Sequence, residues 1–537
     1  MKRTVKDVTF DLLRKLDLTT IVGNPGSTEE SFLKSFPTDF HYVLGLQEAS
    51  VVSIADGLSQ GMRKPVLVNV HTGAGLANAM GSISTAFQAK TPLIITAGQQ
   101  ARAMILNEPL LTNIEASNVP RPYVKWSYEP ARAQDVPAAL MRAYATAVQQ
   151  PSGPVFLSIP MDDWDREMDE VDVFRTVSTR FGPDPARIKE FAQKINDSKN
   201  PALVYGSDIA RSNAWDAGIQ FAERLQAKVY AAPLAERTPF PETHPLYAGS
   251  LPPAIAPLAN SLRGHDLIVV IGAPVFRYYP YVPGPYLPDG ARLLQITDDP
   301  NASSKAAVGD SLVSDSLLFL EAITSLVNAR QASATVAKAP DAPPSQISTA
   351  EPLSASAVFK MLKPLFPKEF VLLEESPSNF IELTQCFKID RPDCFYTFAS
   401  GALGWNMPAG VGLALAEKKS GRGRPVIVVM GDGSFQYSVQ SIYTAVQENA
   451  HVVFLTLCNG EYAVLKQFAQ LEQTPNVPGL DLPGLHIASL GEGYGARSTH
   501  AKTADEVRRA FIAALEFKGT SVIEVPIAKG RPSLLDA

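Results

Sequence analysis

VIVVMGDGS, at residues 426–434, is an unbroken apolar run that ends in two glycines around an aspartate. Such a run predicts a buried strand that stops at a tight turn. An apolar stripe at helical spacing comes next, formed by Val439, Ile442, Tyr443 and Val446. A second apolar run follows and ends at Asn459. Because the strands of such a βαβ unit are parallel and end side by side, we expect Asp432 and Asn459 to meet at one sheet edge.

An aspartate and an asparagine that both adjoin glycine suit a divalent cation. Carboxylate and amide oxygens are hard ligands for Mg²⁺ or Ca²⁺, and two or three protein ligands leave room for phosphate oxygens. Gly433 and the first amides of the following helix can donate to a phosphate. Gly-Asp-Gly alone is more often a plain turn, but its spacing to Asn459 favours a metal that bridges a diphosphate to the protein.

The composition bounds the function classes. The chain has 537 residues, enough for about three domains. Its formal net charge is -6, so it lacks the basic surface that nucleic acid requires. Three cysteines form neither a disulfide framework nor a zinc spacing, which predicts a reducing, cytoplasmic location. The first residues lack a signal-peptide core, and no apolar run reaches membrane-spanning length.

The apolar pattern divides the chain into three α/β regions with a linker. Strand-like runs alternate with helical stripes in residues 1–180, 181–335 and 353–537, while residues 336–352 are rich in alanine, serine and proline. We expect three doubly wound parallel-sheet domains. In the first and third regions, strands deliver polar residues to a common edge, which indicates two related domains around a spacer.

Three polar side chains at strand ends of the first region are catalytic candidates. Glu48 lies between a strand and a helix, where a carboxylate also stabilises the helix dipole. His71 follows a strand and precedes a glycine turn, and its ordinary pKa suits proton transfer at neutral pH, although a lone histidine is usually structural. Ser27 brings a hydroxyl to the same edge, or caps a helix.

Gly431-Asp432-Gly433, a spacer and Cys458-Asn459 resemble the signature of the thiamine diphosphate enzymes, which usually have Asn-Asn at the second motif. Further segments look like the benzoylformate decarboxylases within that family, and the similarity covers nearly the whole chain. These segments are residues 23–27, 46–49, 92–100, 110–113, 121–130 and 271–278. The resemblance implies a pyrimidine-binding domain, a middle domain and a diphosphate-binding domain, in that order.

The resemblance also implies residue roles. The metal ligands would be Asp432, Asn459 and the main-chain carbonyl of Glu461. Glu48 would face the aminopyrimidine ring, with Ser27 and His71 beside the substrate. The cofactor would contact Glu48, Ser376, Pro377, Ser378, Gly401, Leu403, Gly433, Ser434, Tyr462 and Ala463. Substrate would contact Leu110, Leu111, Thr397, Val464 and Phe468. A second cation site would involve Asn118, Val119 and Arg121.

Two positions depart from the family pattern. Tyr279 stands where the family has its second active-site histidine, and a phenol, whose ordinary pKa is about 10, is a poor proton relay at neutral pH. Thr397 stands where the family has an aromatic residue. The resemblance therefore leaves the exact 2-oxo acid open.

Three hypotheses follow. The first is a thiamine diphosphate and Mg²⁺ dependent decarboxylase of a benzoylformate-like 2-oxo acid. The second keeps the cofactor but is a carboligase of the acetohydroxyacid synthase type or an oxidase, with a flavin in the middle domain. The third is a nucleotide-sensing protein without catalysis. The resemblance implies a homo-oligomer, a tetramer built as a dimer of dimers, with active sites at subunit interfaces.

Overall fold

The computed structural model describes residues 2–331, 350–474 and 476–530. These residues form three six-stranded parallel sheets, one in each predicted region, so the expected fold class is confirmed. Most of the predicted linker, residues 336–352, lies outside the described residues. The domain boundaries therefore stay a prediction, while the three sheets lie within residues 20–160, 201–313 and 371–526.

The first domain contains eight strands and six α-helices. The strands are β1 (Lys2–Thr4), β2 (Thr20–Gly23), β3 (His41–Leu44), β4 (Val66–Val70), β5 (Leu93–Gln99), β6 (Ser127–Tyr128), β7 (Val155–Pro160) and β8 (Glu167–Asp169). The helices are α1 (Val5–Lys15), α2 (Glu30–Leu33), α3 (Glu48–Met62), α4 (Thr72–Gln88), α5 (Arg102–Ile105) and α6 (Val136–Val148). β1 and β8 form a separate antiparallel pair.

The middle domain contains six strands and six α-helices. The strands are β9 (Pro201–Tyr205), β10 (Lys228–Ala231), β11 (Tyr247–Ser250), β12 (Leu267–Ile271), β13 (Arg292–Thr297) and β14 (Asp310–Val313). The helices are α7 (Pro185–Asp197), α8 (Asp208–Arg211), α9 (Trp215–Leu225), α10 (Ile255–Ser261), α11 (Pro300–Ser304) and α12 (Ser316–Thr324).

The described residues of the third domain contain six strands and eight α-helices. The strands are β15 (Val371–Glu375), β16 (Phe395–Thr397), β17 (Val426–Gly431), β18 (Val452–Cys458), β19 (Arg497–His500) and β20 (Thr520–Pro526). The helices are α13 (Ala355–Leu362), α14 (Phe380–Cys386), α15 (Asn406–Lys419), α16 (Asp432–Phe435), α17 (Ser441–Gln447), α18 (Ala463–Leu471), α19 (Ile487–Gly493) and α20 (Ala504–Phe517).

The first and third sheets have the same strand order. The first runs β3-β2-β4-β5-β7-β6 and the third β16-β15-β17-β18-β20-β19, so both follow the pattern 2-1-3-4-6-5 when their own strands are numbered in chain order. The middle sheet runs β11-β10-β9-β12-β13-β14, which is the pattern 3-2-1-4-5-6. The predicted relation between the first and third domains is thus supported by their topology.

The sheets are buried on both faces because alternate residues of their central strands enter different cores. In β4, Val66, Val68 and Val70 enter one cluster and Leu67 enters another. The first cluster is shared with the third domain, since it also contains Val426 and residues of α3 and α15. Packing of α3 against α15 therefore joins the first and third domains within one chain.

Two local predictions around the Gly-Asp-Gly motif are wrong in detail. The motif is not a plain turn, because Asp432 begins the short helix α16 directly after β17. The next helix begins at Ser441, so Val439 precedes it and packs against the shared core from a turn. Similarly, His71 is the N-cap residue of α4, and the expected glycine turn is the first turn of that helix. Among the described residues, no helix has the length and apolarity to cross a membrane.

Candidate active site

The carboxyl edge of the third sheet brings the predicted metal ligands together. β17 and β18 are parallel neighbours, and Gly431 pairs with Leu457. The main-chain N–H of Gly460 donates to Asp432 Oδ2 (2.7 Å). Asn459 Oδ1 accepts from the main-chain N–H of Glu461 (3.1 Å). The expected meeting of Asp432 and Asn459 at one edge is therefore confirmed.

The donor set at this edge suits a hard divalent cation. The described residues contain no group of three or more His, Cys, Asp or Glu side chains able to bind a metal, so a cation here needs amide and main-chain oxygens besides Asp432. Burial raises the pKa of Asp432, against the lowering effect of the N–H groups of Gly460 and Gly433. The Glu461 side chain is occupied by Lys466 (2.6 Å). These features fit a site that binds through Asp432, Asn459 and the Glu461 carbonyl together with substrate or cofactor oxygens.

The predicted cofactor residues of the third domain surround this edge. Ser376, Pro377 and Ser378 follow β15 directly, and Ser378 Oγ accepts from the main-chain N–H of Val464 at the start of α18 (3.0 Å). Gly433 and Ser434 lie in α16. A Cβ on Gly433 would lie 2.5 Å from the ring of Tyr462, which shows how closely Tyr462 packs there. Gly401 and Leu403 lie on the loop after β16, which reaches the same edge through the bond from the Gly404 N–H to Glu375 at the end of β15 (2.6 Å).

The carboxyl edge of the first sheet holds Glu48 as the first residue of α3. The Gln47 side chain caps that helix by accepting from the main-chain N–H of Ala49 (2.7 Å). The Glu48 carboxylate accepts from Asn24 Nδ2 (3.2 Å) and from Asn78 Nδ2 (3.1 Å) and is 6% exposed. Two amide donors therefore orient a buried carboxylate at a sheet edge, which is the arrangement that an acid facing a heterocycle needs.

His71 is tied to a buried carboxylate that the sequence analysis missed. His71 Nδ1 lies 2.8 Å from Glu29 Oε2, and the Glu29 side chain is only 1% exposed. The same carboxylate accepts from main-chain N–H groups of Gly26 (3.0 Å), Thr72 (3.2 Å) and Gly98 (2.7 Å). Because a carboxylate with these partners acts as an acceptor, the network places the His71 proton on Nδ1 and leaves Nε2 for proton exchange.

Glycine is required beside this histidine. A Cβ on Gly26 would lie 2.0 Å from His71 Nδ1, so any larger residue would displace the imidazole. Ser27, the next residue, is exposed, and the helix that follows begins only at Glu30 without a side-chain cap. The structural alternative of a capping role for Ser27 is therefore wrong, whereas its predicted catalytic role stays a prediction.

The predicted substrate residues fall into two groups. Tyr279, in the middle domain, packs its ring against Phe468 of α18, with centroids 5.0 Å apart, and is 61% exposed. Val464 lies one helical turn before Phe468. Thr397 lies at the end of β16, and its hydroxyl donates to the Glu374 carbonyl (2.7 Å), so that hydroxyl is turned into the sheet.

The second group lies on an exposed loop of the first domain. Leu110 is 86% exposed, and Leu106 is 92% exposed on the same loop. Leu111 is half-buried, and its carbonyl accepts from the Thr72 hydroxyl (3.0 Å). This loop is therefore anchored beside His71 but presents its leucines to the outside of the chain.

The predicted second cation site is a surface turn. The main-chain N–H of Arg121 donates to the carbonyl of Asn118 (3.1 Å), and Val119 packs against the shared core. The Arg121 guanidinium donates to Ser127 Oγ (2.9 Å). A cation at Asn118, Val119 and Arg121 stays a prediction.

The corresponding edge of the middle sheet is filled by ion pairs. Lys90 of the first domain reaches Asp208 (2.8 Å) and Asp298, and Arg211 pairs with Glu236. Two cavities adjoin these residues, one of about 30 Å³ beside Glu236 and one of about 330 Å³ beside Asp298, and only the second reaches the size of a small-molecule pocket. A flavin or nucleotide in the middle domain would have to displace this network.

Two further glutamates missed by the sequence analysis lie at the end of β15. Burial raises the pKa of Glu374 to about 7 and that of Glu375 to about 8. Glu374 accepts from the main-chain N–H of Ser376 (2.5 Å), and Glu375 accepts from that of Gly404 (2.6 Å). Both carboxyl groups thus support loops that carry predicted cofactor residues.

Comparisons with known proteins agree with this architecture. Three family models match in order: the N-terminal TPP binding domain of thiamine pyrophosphate enzymes over residues 3–117, their central domain over residues 188–323 and their C-terminal TPP binding domain over residues 378–525. Thiamine pyrophosphate is another name for thiamine diphosphate. The three domains of the chain thus each match the corresponding domain of one enzyme family.

Three relatives cover nearly the whole chain. A benzoylformate decarboxylase of Pseudomonas aeruginosa is 42% identical, over 98% of this chain and 99% of its own. The crystal structure of a benzoylformate decarboxylase from Polynucleobacter necessarius is 64% identical with a TM-score of 0.97, over 99% of this chain and 100% of that one. A thiamine diphosphate-dependent 4-hydroxybenzoylformate decarboxylase of Rhodococcus jostii is 37% identical with a TM-score of 0.93, over 99% and 100%.

Proposed function

The chain belongs to the thiamine diphosphate enzyme family, and on that premise we propose that it decarboxylates a 2-oxo acid of the benzoylformate type to an aldehyde and CO₂. One observation carries the proposal. Two sheets with the same strand order present a buried carboxylate, Glu48, at one carboxyl edge and an Asp432-Asn459 pair at the other. A carboxylate and a cation site are the two groups needed to hold a heterocycle with a diphosphate tail.

The residues at these edges fit the cofactor. Asp432, Asn459 and the Glu461 carbonyl would hold a Mg²⁺ or Ca²⁺ ion against the diphosphate, and α16 would offer main-chain N–H groups. Glu48 would hydrogen-bond the ring nitrogen of the aminopyrimidine. When bound, thiamine diphosphate supplies the nucleophilic carbon that adds to the ketone and the electron sink that accepts electrons as CO₂ leaves.

Proton transfer is assigned to side chains of the first domain. Glu48 would share a proton at its carboxylate with the cofactor ring, and burial keeps water away from that proton. His71 would exchange a proton at Nε2, because its Nδ1 is occupied by Glu29. Ser27 would supply a hydrogen-bonding hydroxyl near the substrate. Tyr279 would donate a hydrogen bond but not relay protons.

An aromatic substrate is supported by the apolar residues at this edge. Val464 and Phe468 present one face of α18, and Tyr279 extends it through its contact with Phe468. Leu110 and Leu111 would close the pocket, on the first-domain loop of a second copy of the chain. Such a pocket favours an aryl side chain, and Thr397, which is smaller than an aromatic residue, leaves more room in the adjacent part of the pocket.

The proposal includes a homo-oligomer, a tetramer built as a dimer of dimers. Leu106, Leu110 and Ile114 are 92%, 86% and 58% exposed, an apolar surface that water does not favour. Both hydrogen bonds described for Glu48 stay within the first domain. A second copy that laid its third-domain edge over this loop would cover the leucines and complete the site. Light scattering of the purified protein checks the assembly, and an active monomer would contradict it.

We place the enzyme in the cytoplasm, since Cys386, Cys394 and Cys458 are unpaired. The alternative with a middle-domain flavin is less favoured, because ion pairs occupy the edge where a nucleotide would bind.

A substrate panel tests the proposed function. The apoprotein is mixed with thiamine diphosphate and Mg²⁺ and offered benzoylformate, 4-hydroxybenzoylformate, a branched 2-oxo acid and pyruvate. We expect equal amounts of CO₂ and aldehyde, with the aryl acids preferred and no turnover when either the cofactor or the cation is omitted. Release of CO₂ with a carboligation product in place of the aldehyde would contradict the proposal.

A further inference from the structure

The loop after β16 reaches the cofactor edge through a backbone that only glycine readily adopts. Gly401 has φ +76° and Gly404 has φ +101°. A Cβ on Gly404 would lie 2.6 Å from the Cβ of Tyr437, so this position tolerates neither another conformation nor a larger residue. Leu403 lies between the two glycines and is half-buried. A loop of this shape needs external support to hold one side chain in one place.

The third domain supports the loop with Glu375. Its Oε1 accepts from the main-chain N–H of Gly404 (2.6 Å), and its Oε2 accepts from that of Asn406 (2.8 Å). Its own carbonyl accepts from Ser434 Oγ in α16 (2.9 Å). Glu375 is fully buried, and a buried carboxyl group costs folding free energy that an apolar residue would not. Glu375 therefore joins the loop of Leu403 to α16, the helix of the Gly-Asp-Gly motif, through its side chain and its main-chain carbonyl.

The first domain supports the same loop with Asp56. Trp405, the residue after Gly404, donates its indole N–H to Asp56 Oδ2 (2.7 Å). Gln60 donates to the other oxygen (2.8 Å), and Asp56 is fully buried. Asp56 lies on α3, the helix that begins at Glu48. The bond to Trp405 therefore ties the loop of Leu403 to the first domain of the same chain.

We infer that Glu375 and Asp56 are positioning residues that fix the Leu403 loop against the cofactor, Glu375 from the third domain and Asp56 from α3 of the same chain. The inference rests on the proposed function, because the loop matters only if the cofactor lies in this cleft. A purely structural role predicts something else. Glu375 would then only supply the first turn of α15 with acceptors, since Trp405, the N-cap residue of that helix, has no side-chain cap.

Two amide variants, E375Q and D56N, separate these roles. Each keeps the size of the side chain. In E375Q the amide nitrogen faces a main-chain N–H that cannot rotate, and in D56N the neutral amide oxygen accepts more weakly from the Trp405 indole than the aspartate oxygen does. We expect kcat to fall about 10-fold to 100-fold while KM changes less than about twofold, because a shifted loop misplaces the cofactor more than the substrate. We also expect the cofactor to bind the E375Q apoprotein about tenfold more weakly, measured by tryptophan fluorescence titration without any substrate.

The matched control is E242Q. Glu242 is also a partly buried acceptor of a main-chain N–H, that of Ile389 (2.9 Å), but it joins the middle domain to the third domain away from the cleft. We expect E242Q to lower the melting temperature and to leave kcat and cofactor affinity unchanged. If E375Q and D56N behave like E242Q, the positioning role is wrong and only the structural one remains.

A double-mutant cycle tests the bond between domains. W405F removes the indole donor and keeps an aromatic ring, so D56N should change kcat less than about twofold further in the W405F background. Independent, multiplicative effects would overturn the link between Asp56 and Trp405. If an amide variant fails to fold, the test is made with W405F alone. Unchanged kcat and cofactor affinity in W405F would then refute the inference. Inactivity of the native enzyme on every 2-oxo acid, with weakened cofactor binding in E375Q, would refute the proposed function alone.

Discussion

The carboxyl edges of the first and third sheets are built differently although the two sheets have the same strand order. In the third domain, main-chain N–H groups of Gly433 and Gly460 fix Asp432. In the first domain, side chains that are distant in sequence fix Glu48, namely Asn24 after β2 and Asn78 in α4. A single βαβ unit builds the first kind of edge, whereas the second kind needs residues from several strands and helices of the folded sheet.

The largest effect is expected from E48Q, which removes the acid at the edge of the first sheet, where the Asn24 and Asn78 side chains hold it. An amide cannot share a proton with the cofactor ring, so kcat should fall about 10²-fold to 10⁴-fold. Far-UV circular dichroism and binding of the cofactor should stay as in the native protein, because the diphosphate is held by the other domain. A variant with undiminished turnover would remove Glu48 from the mechanism.

The next effect concerns the edge of the third sheet, where main-chain N–H groups hold Asp432, and D432N tests it. Loss of one charged ligand should weaken binding of thiamine diphosphate and Mg²⁺ about 100-fold. Excess Mg²⁺ should recover part of the activity, which it cannot do for E48Q. Titration of the cation in both variants checks this contrast. Equal dependence of D432N and the native protein on Mg²⁺ would show that Asp432 is not a ligand.

A smaller effect is expected from E29Q. Its amide would face the N–H donors of Gly26 and Gly98 and loosen the His71 ring, so we expect kcat to fall about tenfold with some loss of thermal stability. E30Q is the matched control, because Glu30 is the next residue but is exposed. Both variants are compared by kcat and melting temperature. Equal behaviour would mean that the Glu29 network does not serve the site.

The last effect concerns stability and not turnover, and it is the pH dependence of unfolding that arises from Glu374 and Glu375. Burial raises their pKa to about 7 and about 8 from an ordinary 4.5, so the native state retains protons that the unfolded state releases. Their contribution is fully present below pH 4.5 and is lost as pH rises to about 8, by at most about 1.4 kcal/mol per pH unit for each group. Denaturant unfolding of the apoprotein from pH 5 to pH 8.5 should show this decline. The double variant E374Q/E375Q should show a flatter profile, and an equally steep one would contradict the assignment.

The central strands could be predicted from the sequence, and most edge strands could not. β4, β12 and β17 are continuous apolar runs because both faces of each are covered. Five strands of the three sheets could not be predicted: β6, β11, β14, β16 and β19. Each is the outermost strand of its sheet and has a neighbouring strand on one side only. Exposed residues interrupt most of them, as in β11 and β19, so their pattern lacks the periodicity that identifies a strand.

The candidate site shows the same division. Asp432 and Asn459 could be predicted because they lie at the ends of the two parallel strands of one βαβ unit, so the apolar pattern alone brings them to one edge. Glu29 could not, because nothing local distinguishes it from Glu30, although one is 2% exposed and the other is at the surface. The difference arises only when the ends of β2, β4 and β5 meet.

The most direct test is a crystal structure of the protein with thiamine diphosphate and Mg²⁺. We predict the aminopyrimidine ring at Glu48, the diphosphate and cation at Asp432, Asn459 and the Glu461 carbonyl, and a second copy of the chain across the Leu110 loop. A cofactor bound elsewhere, or Glu48 directed away from the ring, would contradict the account.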